Sequence, residues 1–217
     1  MTVNVVNHND FYVTINELLS DSHTILDVGC GVGATLTKFC CPIKIGVDAH
    51  RPYLENPKEG EQFIKLNFMA ERLSEIFLSN SLDSVTLIDV IEHFEKEIAF
   101  NVLHQVEEIA AKKVIVFTPR GFFQQLGVDH YGLGGESYQR HRSGWEVEDF
   151  QNLGYNVVIF SKYHDQKNEA FLQVYGENAE PIDALLAWKD CSLTDRSQLG
   201  QVDSVHSIEL IDELVQG

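Results

Sequence analysis

The run Ile25-Leu26-Asp27-Val28-Gly29-Cys30-Gly31-Val32-Gly33-Ala34 narrows the fold more than any other stretch of this chain. An apolar segment of strand character stops at three alternating glycines, where the chain must turn into a helix. Glycines at such a turn let the backbone approach a ligand closely and present amide groups at a helix start. A nucleotide or nucleoside is the ligand this arrangement implies. Gly29, Gly31 and Ala34 satisfy the dinucleotide pattern G-x-G-x-x-[GA], and Asp48 lies 19 residues beyond Gly29, where a ribose-binding acid is expected. Asp27 argues against a pyrophosphate, because a carboxylate at the strand tip repels an anion and favours a ligand carrying cations.

Apolar runs bounded by turn residues recur downstream, separated by segments of helical spacing, as in an α/β sheet. Strands are expected at Thr24–Val28, Ile43–Val47, Gln62–Leu66, Ser84–Ile88 and Val114–Thr118, followed by Asn156–Phe160 and Ala170–Tyr175. A helix over Phe94–Ala111 places Phe94, Ile98, Val102, Val106 and Ile109 on one stripe, and another runs from Ser143 or Gly144 to Leu153 before Gly154. A short helix over Asn9–Ser20 precedes the first strand. Only Ser161–Glu169 joins the last two expected strands, too short for a crossover, so they should pair antiparallel.

Arg120–Arg142 holds five of the fifteen glycines and, with Arg120, Arg140 and Arg142, three of the six arginines. A connection of this length inside a compact domain is usually functional. In a chain of net charge −17 such a cluster suggests recognition of an anion, since the guanidinium fork binds carboxylate or phosphate in two places. Pairing with the protein's own carboxylates is the alternative. The same charge disfavours nucleic acid and anionic membranes as partners. No apolar run approaches the roughly 18 residues of a membrane span, and no signal peptide is evident, so a cytoplasmic location is expected. Cys30, Cys40, Cys41 and Cys191 lack the spacing of a disulfide framework or zinc site. After Tyr175 the chain carries nine acids against Lys189 and Arg196, and Val205–Val215 has one apolar helical stripe. The expected division is a domain over residues 1–175, with 120–143 as substrate or lid loop, and an acidic C-terminal extension over 176–217.

The glycine run with Asp27, the acid ending Ile45-Gly46-Val47-Asp48, and the terminal antiparallel pair together resemble the class I S-adenosylmethionine-dependent methyltransferases. The segment Asp89-Val90-Ile91-Glu92-His93 resembles the D-x-x-E-H of the small-molecule, ubiquinone-biosynthesis-like type. The resemblance implies a Rossmann-like seven-stranded sheet in the order 3-2-1-4-5-7-6, strand 7 antiparallel, with helices on both faces. It also implies S-adenosylmethionine as cofactor, with Asp27 and Asp89 near its methionine end, Gly29, Gly31 and Gly33 as floor and Asp48 on the ribose. Asn67 and Phe68 fall where the adenine is held, Asn67 replacing the family's usual acid; capping the next helix is its alternative role. The acidic pair expected after strand five of metal-dependent catechol enzymes is here Thr118-Pro119-Arg120, so no catalytic metal is implied.

Tyr138-Gln139-Arg140-His141-Arg142-Ser143-Gly144-Trp145 resembles an H-x-S-x-W motif of some bacterial members. His141 is a candidate general base, with His93 and His130 as rivals; Arg120, His130, Tyr138, Arg140 and Arg142 are candidate substrate contacts. Ser143 is also placed to cap the next helix, and Glu92 and His93 to begin theirs. The expected activity is methyl transfer to an oxygen of a small, anionic molecule, with a homodimer left open. Two alternatives stand beside it: an NAD-dependent oxidoreductase, and a non-catalytic cofactor-binding protein whose acidic tail docks a partner.

Overall fold

The computed structural model describes residues 4–7, 11–56, 62–125 and 127–191. In chain order the elements are β1 (Asn4–Asn7), α1 (Phe11–Leu18), β2 (Thr24–Val28), β3 (Ile43–Asp48), α2 (Arg51–Glu55), β4 (Ile64–Asn67) and β5 (Leu82–Ile88). They continue with α3 (Lys96–Ile109), β6 (Ala110–Pro119), α4 (Val147–Asn152), β7 (Asn156–His164), α5 (Glu169–Tyr175) and β8 (Ile182–Asp190). One sheet takes all eight strands in the order β1-β7-β8-β6-β5-β2-β3-β4. β8 runs antiparallel to both β6 and β7, and the remaining pairs are parallel.

The expected seven strands are thus corrected to eight, because β1 adds a parallel edge strand beside β7. A second correction concerns Ala170–Tyr175, which is the helix α5. The Asn168 side chain accepts a hydrogen bond from the Phe171 amide, and Gly176 ends the helix at φ +80°. Its apolar run is short enough to suit either state, and the cap and stop residues decide for helix. The antiparallel strand is instead Ile182–Asp190, whose Ala184–Ala187 centre is fully buried. The sheet therefore extends into the segment set apart as an acidic extension. Val205–Val215 lies outside the described residues.

Alternation along each strand sends side chains to opposite faces. Val114 and Val116 face Ala99, Val102, Leu103 and Val106 of α3 and Phe150 of α4, whereas Ile115 and Phe117 face Phe11 and Ile15 of α1. Helices cover both faces, as expected. The buried stripe of α3 is Ala99, Val102, Leu103, Val106 and Ile109; Ile98 is 40% exposed and is left to line a cleft. After β2 and β4 the connections contain only 3-10 turns, at Leu36–Lys38 and Ala70–Glu75, in place of long helices. Gly33 at φ +85°, Thr35 and Thr37 give the first of these little helical preference.

Candidate functional site

Parallel strands leave a crevice beyond their carboxyl ends where neighbouring connections part. Here β2, β3 and β5 end together, and two adjoining cavities of about 270 and 470 Å³ open above them. Gly29, Asp48, Asp89, His93 and Gln139 line both, which makes them one cleft. Its floor is the glycine turn, with Gly29 and Gly31 at φ +69° and +56°. A Cβ on Gly29 would lie 2.6 Å from Val90 Cγ2, so both backbone conformation and space require glycine there.

Three carboxyls surround this floor. Asp27, buried at the end of β2, accepts from Thr86 Oγ1 at 2.7 Å; burial pushes its pKa up to about 7 against the lowering effect of that bond. Asp48 accepts from the Gly31 amide at 2.8 Å and the His50 amide at 2.7 Å, one bond to each oxygen, while burial raises its pKa. Asp89 is exposed to the cleft, and the protein packed around its carboxyl raises its pKa above the usual carboxylate range. It holds a left-handed φ of +54°, unusual for an aspartate, and its amide donates to Phe117 O at 2.9 Å. Among the described residues lining the smaller cavity are Asp27, Asp48, Asp89 and Glu92 and neither a lysine nor an arginine.

Phe68, Met69, Val47, Phe94 and Ile98 give the larger cavity an apolar side. Asn67 does not cap the following turn: its Nδ2 donates to the Asp48 and Ala49 carbonyls, both at 2.9 Å, tying β4 to the end of β3. It is Phe68 that lines the cavity.

The segment after β6 arches back over the glycine turn. Asp129 organises it by accepting from the amides of Tyr131 (2.9 Å), Leu133 (2.6 Å) and Gly135 (3.1 Å) and from Tyr53 Oη (2.8 Å). Burial pushes the Asp129 carboxyl up, but these bonds outweigh it and hold the pKa down at about 2. Tyr131 stands over the turn, so a Cβ on Gly31 would meet its hydroxyl at 3.3 Å. Asp129→Ala is expected to speed amide exchange at Tyr131, Leu133 and Gly135 by about 10- to 100-fold, since bonds to a carboxylate are each worth about 1.5–3 kcal/mol. Exchange measured by NMR or mass spectrometry checks this; unchanged protection at all three contradicts it. A depressed carboxyl stabilises above its unfolded value and loses that contribution as pH falls toward about 2, so wild-type protection should fail in strong acid.

Past this arch the H-x-S-x-W segment runs extended, burying His141, Ser143 and Trp145 on one side. The amides of Arg142 (2.7 Å) and Ser143 (3.1 Å) both donate to the Glu92 carbonyl. Trp145, fully buried, donates to Ser143 Oγ at 3.0 Å, stacks on Phe150 and lies under Lys96. The helix cap expected at Ser143 belongs instead to Glu146, which forms a capping box with Asp149. These bonds bring His141 against the 3-10 turn Ile91–His93, its ring 4.8 Å from that of His93. His141 Nδ1 contacts Phe123 O at 2.7 Å and His93 Nδ1 contacts Arg140 O at 3.3 Å. Burial lowers their pKa values to about 3 and 4, so both rings are neutral at pH 7. Glu92 is buried; its Oε2 accepts from Thr118 Oγ1 at 2.9 Å, while its Oε1 has no partner among the described residues. Burial first, and Asp89 second, raise its pKa well above the usual carboxylate range. One donor atom from each of Glu92, His93 and His141 lies within 4.8 Å of the others. In the sequence these three residues lie in two segments 48 residues apart, with nothing in their spacing to join them.

The arginines do not form one clamp. Arg120 pairs with Glu146 Oε2 at 3.0 Å and Asp183 Oδ2 at 3.5 Å, the protein's own carboxylates. Arg140 is exposed and lies outside the cleft lining. Arg142 lines the larger cavity while donating to the carbonyls of His93, Arg140 and Ser137. His130 and Tyr138 reach the smaller and larger cavities respectively.

Residues 26–110 match a family model described as a methyltransferase domain. Among solved structures the chain is similar to the YcgJ protein of Bacillus subtilis, with 16% identity, TM-score 0.57, and 84% of this chain and 98% of that one covered. The plantazolicin methyltransferase BamL, crystallised with SAH and a triazolic desmethylPZN analog, gives 14%, 0.53, 83% and 84%. A SAM-dependent methyltransferase of Archaeoglobus fulgidus gives 18%, 0.50, 82% and 94%. No curated protein sequence matches this chain.

Proposed function

We propose that this chain, which has the class I methyltransferase fold, binds S-adenosylmethionine in the cleft above β2, β3 and β5 and methylates an oxygen of a small molecule. The observation that carries this reading is the convergence of a glycine turn with Asp27, Asp48, Asp89 and Glu92 in a cavity that no described lysine or arginine lines. Such a lining repels a pyrophosphate and attracts a ligand whose ammonium and sulfonium groups are positive, which sets the NAD reading aside. When bound, S-adenosylmethionine supplies an electrophilic methyl group for in-line displacement.

The residues present fit it. Each Asp48 oxygen accepts one bond from a backbone amide and keeps lone pairs for ribose hydroxyls. Val47, Phe68, Met69 and Ile98 offer the apolar slot an adenine needs. Asp27 and Asp89 flank the glycine floor where the methionine cations belong. Tyr131 and the Asp129-centred arch stand over the glycine turn. The chain's contribution to rate is mainly positioning of donor and acceptor. Burial disfavours the protonated forms of His141 and His93, which makes both weak bases, so proton removal from the acceptor is easiest for an already acidic hydroxyl. An anionic group on the acceptor would meet Arg142, the only arginine or lysine among the described residues of the cleft lining.

Incubating metabolite fractions with methyl-labelled S-adenosylmethionine should move label into a small product; label that stays in the cofactor with every fraction removes the enzymatic reading. The binding step carries its own pH signature. Asp27, near 7, and Asp89, also raised above the usual carboxylate range, must ionise to face a cation. Affinity for S-adenosylmethionine should therefore rise as pH increases from about 6 to about 8, by up to about tenfold per pH unit per proton released. S-adenosylhomocysteine, neutral at sulfur, should gain less. Calorimetry across that range checks both statements, and a flat profile for S-adenosylmethionine contradicts the placement of its cations.

A further inference from the structure

The cluster that closes the smaller cavity has a composition that proton transfer does not explain. We infer that Glu92, His93 and His141 form a binding site for a divalent first-row transition ion, set beside the cofactor cleft. Two imidazoles and one carboxyl, whose proton the cation would displace, make a borderline donor set, suited to manganese, iron, cobalt or zinc in the divalent state and poor for calcium or magnesium. The donor atoms lie within 4.8 Å of one another. Ligands on opposite sides of one ion, each at about 2.1 Å, stand about 4.2 Å apart, so only a small closure is needed.

A second observation points the same way. Glu92 is 2% exposed, yet among the described residues its Oε1 has no hydrogen-bond partner. A buried carboxyl oxygen left unpaired is costly, and a cation taking the place of its proton is a partner that removes the cost. No hydrogen bond joins Glu92 to either histidine among the described residues, although all three meet in one place.

The surroundings are those of a metal centre. His141 Nδ1 meets Phe123 O and His93 Nδ1 meets Arg140 O; donation there leaves each Nε2 with its lone pair. Thr118 Oγ1 holds the other oxygen of Glu92. Such outer bonds fix tautomer and orientation in metal sites. The backbone bonds from Arg142 and Ser143 to the Glu92 carbonyl hold the two halves of the site together. All three residues line the cavity that also holds Asp27, Gly29 and Gly31. The ion's free positions open onto that cavity and suit a molecule offering hydroxyl or carboxylate oxygens, such as a vicinal diol or hydroxy acid. That role toward the acceptor rests on the methyl-transfer reading; the ion site does not.

The test is direct binding to the purified full chain, stripped with a chelator and dialysed. Cobalt(II) should bind at one equivalent, producing visible absorption bands of nitrogen and oxygen ligation, and zinc(II) should displace it. Glu92→Gln and His141→Ala should each weaken binding by on the order of 100-fold, while exposed His104→Ala leaves it unchanged. If His141→Ala does not fold, manganese(II) added to the wild type should still broaden the His93 and His141 ring resonances selectively. The inference is overturned if the wild type shows no saturable uptake of cobalt, zinc or manganese up to about 1 mM. It is equally overturned if Glu92→Gln binds like the wild type. S-adenosylmethionine titrated into the same samples separates the two readings: cofactor without metal removes this inference alone, and metal without cofactor removes the proposed function alone.

Discussion

Asp48→Ala weakens S-adenosylmethionine binding by about 10- to 150-fold, corresponding to about 1.5–3 kcal/mol for hydrogen bonds to a charged group. The loss has two sources. The ribose hydroxyls lose their acceptor, and the Gly31 and His50 amides lose the carboxylate that fixes the turn beneath the ligand. Asp48→Asn keeps one oxygen and should fall between the two. Calorimetric titration of all three proteins checks the order, and wild-type affinity in Asp48→Ala contradicts the assignment of that residue.

Trp145→Ala produces the largest loss of stability, about 3–5 kcal/mol, because removing a fully buried indole leaves a cavity that its neighbours fill only in part. Phe150 loses its stacking partner, Lys96 the ring beneath it and Ser143 its donor. In a domain of this size the melting temperature should fall by roughly 6–20 °C. Trp145→Phe, which keeps the ring but not the nitrogen, should lose much less. Since Trp145 anchors the segment that carries His141 to Glu92, the alanine variant should also bind cobalt(II) and S-adenosylmethionine more weakly than its stability alone requires. A melting temperature within a few degrees of wild type contradicts this account of the segment.

The cofactor side of the cleft was legible because its determinants are local. A strand, three glycines with a forced turn, and an acid one βα unit later are spaced by covalent geometry, so Asp27, Gly29, Gly31 and Asp48 fall together in sequence and in space. Strands β2, β3, β5 and β6 were legible for the same reason, each being a short, mainly apolar run bounded by turn residues. β8 was hidden because Asp183 and Asp190 flank its apolar centre inside an acidic stretch, whereas Ala170–Tyr175 offered a more obvious run. The Asn168 cap and Gly176 stop were the available signals for helix there. Burial at every second residue from His141 through Val147 is written in H-x-S-x-W-x-V and marks an extended, half-buried segment; expecting the helix to begin at Ser143 obscured it. The meeting of Glu92 and His93 with His141 has no local signature, because it depends on the long connection after β6 folding back onto the Ile91–His93 turn. The arginines illustrate the opposite error: clustering in sequence suggested a clamp, but a surplus of carboxylates was near enough for Arg120 to pair within the protein.

The most direct measurement of the central claim is a calorimetric titration of the full chain with S-adenosylmethionine and, separately, with NADH, near pH 8, where the carboxyls at the ends of β2 and β5 are ionised. A cleft lined by Asp27, Asp48 and Asp89 should take up S-adenosylmethionine at one site per chain and leave NADH unbound. Saturable binding of NADH without binding of S-adenosylmethionine would contradict it.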